Sequence, residues 1–176
     1  MQIKTKTIPA PSLSNPKVSR FLMIATLIIG AIGYFIGFLK ITSDGAEAAV
    51  SPVALLCVGV VGIISMIRHS IFHRSDAARM GWELGQRNNF QLEVGFANLA
   101  IGLPALIAVA FDLGVVVEAA FVLAYAVYFF QVTILVLMDR EDGKVNLFRL
   151  TMMALQTFFL GYFSLSALAA ANIHSL

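Results

Sequence analysis

Apolar residues gather in five long runs, 21–39, 51–70, 94–111, 115–138 and 150–171, and most charged residues lie in the segments between them. A helix crossing roughly 30 Å of hydrocarbon needs about 17–25 mostly apolar residues, and each run meets that length. Residues 94–138 must form two helices, because one would be about 67 Å long at 1.5 Å per residue. The break falls at Asp112-Leu113-Gly114, a polar residue and a glycine suited to a tight turn. The pattern predicts an all-α fold, an integral membrane bundle of five transmembrane helices. Residues 1–20, with Pro9, Pro11 and Pro16, read as a flexible cytoplasmic tail. Residues 21–176 form one transmembrane domain, with 72–92 as a cytoplasmic interfacial segment.

Composition supports lipid rather than water as the solvent. Hydrophobic residues make up 59% and charged residues 12%, against about 45–50% and 25% in soluble domains. The net charge of +2 gives no case for nucleic acid. The position of the charges is more informative than their sum. Lys4, Lys6, Lys17, Arg20, Arg68, Arg74, Arg79, Arg87, Arg140, Lys144 and Arg149 fall on one side of the five spans, and Lys40 alone on the other. By the positive-inside rule the N-terminus is cytoplasmic and the C-terminus outside. A membrane with its inner face toward the cytoplasm is the expected location and the lipid bilayer the first partner. A competing reading makes the first run a signal peptide cleaved near Ala46-Glu47-Ala48, but the run is long for a signal core.

Small residues suggest where helices pack. Gly30, Gly33 and Gly37 lie along the first span and Gly59 and Gly62 along the second, and small side chains let helix backbones approach closely in lipid. Packing within one chain and a homo-oligomer face both fit. Pro104 is expected to kink the third span.

Candidate chemistry lies between Arg68 and Asn98. If the second helix continues past the interface, His69, His73, Asp76, Met80 and Glu83 share one face. Two histidines at that spacing, His69 and His73, can ligate a metal ion with Glu83 or Glu93. The same groups can relay protons, since histidine titrates near neutral pH. The plainer reading places Arg and His at the helix exit, with Ser75 capping a new surface helix that carries Asp76 in its first turn. Counted from the cytoplasmic ends, Asn98 lies about 6 Å into the membrane, Gln131 about 10 Å and Gln156 about 9–12 Å. His69, His73, Glu93 and Asn98 would then rim a cytoplasm-facing pocket, with Gln131 and Gln156 as its floor and Asp76 as a further candidate, for a small ligand, proton or ion. Asp112 and Glu118 are outer-side candidates. No phosphate-binding glycine loop, C-x-x-C pair or nucleophile elbow is present. No cofactor beyond that metal ion is expected, and no catalytic residue is assigned. A structural or accessory subunit of a larger membrane complex is the alternative role, and a membrane metalloprotein the third.

The run 67–102 carries His69, Ser75-Asp76-Ala77, Trp82 and the stretch from Phe90-Gln91 through Glu93-Val94-Gly95-Phe96-Ala97-Asn98. It resembles the signature of a family of small prokaryotic polytopic membrane proteins of unknown function. Where that family has a short Ser-Pro before its Phe-Gln pair, this chain has Arg87-Asn88-Asn89. The resemblance implies a bacterial or archaeal membrane protein and no particular chemistry.

Overall fold

The computed structural model describes residues 13–81, 89–139 and 145–173. Among them there is no strand. Six helices follow one another: α1 Pro16–Ser43, α2 Ala46–Ile71, α3 His73–Arg79, α4 Asn89–Ala110, α5 Val115–Met138 and α6 Leu147–Ile173. Five of them, all but α3, are long and apolar enough to cross a membrane. The five spans expected from the sequence are therefore present, and the chain has the build of a multi-pass membrane protein.

The helix starts differ from the apolar runs where capping overrides hydropathy. α1 begins at Pro16 rather than Phe21. The Asn15 side chain accepts a hydrogen bond from the Lys17 N–H at 3.0 Å, and proline, whose N–H is missing, occupies the first helical position. Residues 16–20 are thus helical, and Ser19 is fully buried. Between α4 and α5 the turn forms at the expected place, with Asp112 at φ 48° and Gly114 at φ 94°.

α2 is the central helix. Half of its most apolar stretch is buried inside the protein, against about a fifth of that of α1, α5 or α6, and it touches all four other spans. Its hydrogen bonding changes register three times, from α-helical Ala46–Pro52 to wide π-helical turns over Val53–Val60, back to an α-helical stretch at Val61–Met66, and to π-helical turns again over Ile67–Ile71. The core is built on Val50, Val53, Val58, Val122, Tyr125, Leu160 and Phe163. Large apolar side chains such as Phe21, Phe35, Phe130, Phe158 and Leu165 point outward. An outward surface of large apolar side chains is the arrangement expected when lipid rather than water surrounds the bundle.

The glycines serve contacts within the chain. Gly33 packs on Cys57, and Gly37 between Val53 and Phe163. The closest approach is between α2 and α4. A Cβ on Gly62 would sit 2.9 Å from both the Asn98 carbonyl oxygen and the Gly102 Cα, so neither glycine has room for a side chain.

Candidate functional site

The site begins where α2 ends. The last turn of α2 is a π turn closed by the Phe72 N–H on the Ile67 carbonyl at 3.0 Å. Phe72 then leaves helical geometry, at φ −98° and ψ 29°, and α3 starts afresh at His73. The expectation that His69, His73 and Asp76 share the face of one continued helix therefore fails for His73. The chain reversal turns its Nδ1 onto the Ser70 carbonyl at 2.9 Å. Asp76, by contrast, is folded back towards His69.

Asp76 is the centre of the site and is completely buried. Its Oδ2 lies 3.0 Å from His69 Nδ1 and accepts from Gln91 Nε2 at 3.0 Å. Its Oδ1 accepts from the Ser19 hydroxyl, from Arg79 Nε at 3.2 Å and from Arg79 Nη2 at 3.0 Å. Arg68 Nε stands 3.9 Å away. The carboxylate thus gathers α1, α2, α3 and α4 into one knot. Burial pushes the Asp76 carboxyl up, but hydrogen bonds from His69 and Ser19 and the Arg68 charge outweigh it, so it sits below the ordinary carboxylate range.

Geometry also fixes the state of His69. Arg68 Nη2 lies 2.6 Å from His69 Nε2. A guanidinium only donates, so Nε2 accepts and the imidazole carries its proton on Nδ1, where it donates to Asp76. Ser75 is not the cap of α3. Its hydroxyl donates to the Asn15 carbonyl and accepts from the Ser19 N–H at 3.0 Å. Ser75, Asp76 and Ala77 are buried, so this face of α3 packs inward against the start of α1.

Below this knot lies a second polar group. Tyr125 donates to Asn98 Oδ1 at 2.6 Å, and Asn98 Nδ2 donates to the Val94 carbonyl at 2.7 Å and to the Tyr128 hydroxyl at 3.3 Å. Gln91, which donates to Asp76, and Asn98 both lie on the buried side of α4, which joins the two groups into one track along that helix. Near the rim, Gly95 is required because a Cβ there would collide with the Ser70 hydroxyl.

Other candidates fall apart from this track. Gln156 accepts from the Tyr34 hydroxyl on another side of α1. Gln131 and Glu93 are exposed, so Gln131 and Gln156 do not form a common floor and Glu93 does not close the rim. Asp112 is exposed in its turn, whereas Glu118 is buried. Among the described residues no three His, Cys, Asp or Glu side chains come close enough to hold a metal ion. His69 is committed to Asp76 and Arg68 and His73 Nδ1 faces the Ser70 carbonyl, while Glu83 lies outside the described residues. Sequence reading missed Ser19, Arg68, Arg79 and Gln91 as partners of Asp76, and Tyr125 and Tyr128 as partners of Asn98. One usable signal was Tyr125 and Tyr128 three apart, on one face of an otherwise apolar helix.

A family model described as a family of unknown function (DUF6790) matches residues 17–143, which contain the whole Asp76 knot and the Asn98–tyrosine group. No curated protein and no solved structure matches the chain. The match takes in the 67–102 run and covers most of the sequence: the chain belongs to the family of unknown function DUF6790.

Proposed function

We propose that this is a multi-pass protein of a prokaryotic cytoplasmic membrane, N-terminus inside and C-terminus outside, whose inner end holds a small ligand, proton or ion. One observation carries the reading. Arg68 and His69 at the end of α2 and Asp76 and Arg79 on α3 cluster on the side where Lys and Arg gather, and Asn98, Tyr125 and Tyr128 form a second polar group beside them. Ionisable groups are expensive at membrane depth and are retained where they serve a pathway or a site. The orientation draws its support from the side on which Lys and Arg gather. A reporter active only outside the cell, fused after Leu176, should be active, and an inactive one would reverse the topology. For the site, the full chain in neutral detergent should be stabilised against heat by at least one member of a panel of small anions, cations and neutral metabolites. Asn98→Leu should remove that response while the protein stays folded. A panel with no response sinks the reading.

A second reading has an observation of its own. Both Asp76 oxygens are saturated by protein donors, as in a latch that holds the inner ends of the helices together. The protein would then be an accessory subunit of a larger membrane complex. Repeated recovery of the same larger membrane partner on affinity purification would favour it.

A further inference from the structure

We infer that the inner-end site takes an oxyanion, a phosphate-type group whose oxygens accept from Arg68 and Tyr128; this rests on the ligand-site reading above and specifies its ligand class. The argument is a count of donors and charge. Two guanidinium groups, Arg68 and Arg79, face one carboxylate, Asp76, and His69 is neutral by its hydrogen bonds. Among the described residues the cluster is left one positive charge in excess. Glu93, on α4, points outward and does not balance it.

The hydrogen bonds lean the same way. Both Asp76 oxygens are occupied, and Asn98 Oδ1 is taken by Tyr125. Among the described residues no carboxylate acceptor is therefore left open in the track. Donors are left over. Arg68 Nε is buried with no hydrogen-bond partner. The Tyr128 hydroxyl accepts from Asn98, and its own proton meets no acceptor among the described residues. Arginine and a phenol hydroxyl with spare protons, in a place with surplus positive charge, match a group that offers only acceptors and negative charge. A cation would meet repulsion there and find no free carboxylate. The Arg68 side chain keeps 15% of its surface open although its Nε is enclosed, so a ligand reaches that donor only when the guanidinium turns toward the opening. The chemistry is shared by a free phosphate-type anion from the cytoplasm and by the phosphodiester of an inner-leaflet lipid headgroup.

The test uses the full chain and follows thermal unfolding by a thiol-reactive dye on Cys57, the single and buried cysteine. In one arm, delipidated protein in neutral detergent is titrated with sodium phosphate against sodium chloride at equal ionic strength. In the other, the protein sits in phosphatidylcholine nanodiscs with or without phosphatidylglycerol. Phosphate at a hundred times its dissociation constant should raise Tm by roughly 5–10 °C. A rise with phosphate assigns a free anion, and a rise with phosphatidylglycerol alone assigns a headgroup. Either rise should vanish in Arg68→Gln and in Tyr128→Phe, and persist in Arg20→Gln and Arg74→Gln, whose side chains are exposed. Tyr128→Phe keeps the ring, so it decides the matter if Arg68→Gln does not fold. The inference is overturned if neither phosphate nor phosphatidylglycerol raises Tm, or if the Arg20 and Arg74 variants lose the response as fully as Arg68→Gln. If only a cation or a neutral compound stabilises the protein, the ligand site stands and its oxyanion specificity falls.

Discussion

Replacing Asp76 by alanine should be the most damaging single change at the inner end. The carboxylate accepts from Ser19, Arg79 and Gln91, pairs with His69, and balances Arg68. Asp76→Ala leaves two guanidinium groups without a counter-charge, one of them largely buried. Removing one partner of a buried ion pair costs about 3–5 kcal/mol, which at about 2–4 °C per kcal/mol lowers Tm by roughly 6–20 °C. Arg79 keeps 26% of its side chain open and can turn to water, which places the expected loss in the lower half of that range. The assay is the rate and midpoint of Cys57 labelling on heating in detergent, because Cys57 is buried between α1 and α2 with its thiol on the Gly30 carbonyl at 3.3 Å. Adding Arg79→Ala to Asp76→Ala should cost less than the sum of the two single changes, by about 1 kcal/mol or more, since the second change removes a charge the first stranded. A Tm for Asp76→Ala within about a degree of the native value, or strict additivity in the double variant, would refute the claim that this carboxylate ties the four helices together.

The remaining predictions test the same geometry from other sides. Because the folded-state pKa of Asp76 is lowered, its contribution is complete above its unfolded value of about 3.9 and is lost as pH falls below that; Tm measured down to pH 3 should drop along an acid limb that is shallower in Asp76→Asn. Gly95→Ala drives a methyl group into the Ser70 hydroxyl and should cost about 1–3 kcal/mol, and Ser70→Ala in the same chain should restore most of it. Ser70→Ala alone should be neutral or stabilising, since the hydroxyl it removes is buried without a partner. Gly62→Ile should force α2 from α4 at their closest approach and cost about 3 kcal/mol or more, read as early Cys57 labelling.

The sequence by itself determined the class, the number of spans and the turn at Asp112-Leu113-Gly114, because these depend on local composition: a run of apolar residues long enough for a bilayer needs no partner to declare itself. It also brought Asp76, His69 and Asn98 into view, since polar groups stand out against an apolar background. Tertiary structure decided what each one touches. The π turn at Ile67–Ile71 and the break at Phe72 parted His73 from His69 and swung Asp76 back between them and α1, a change of direction that no hydropathy pattern encodes. Ser19 and Arg79, sixty positions apart in the chain, meet on the same carboxylate oxygen. Gln131 and Gln156, similar in depth, were separated because depth is a coordinate along the helix axis, whereas a shared site also depends on rotation about it, and rotation is set only when the helices pack.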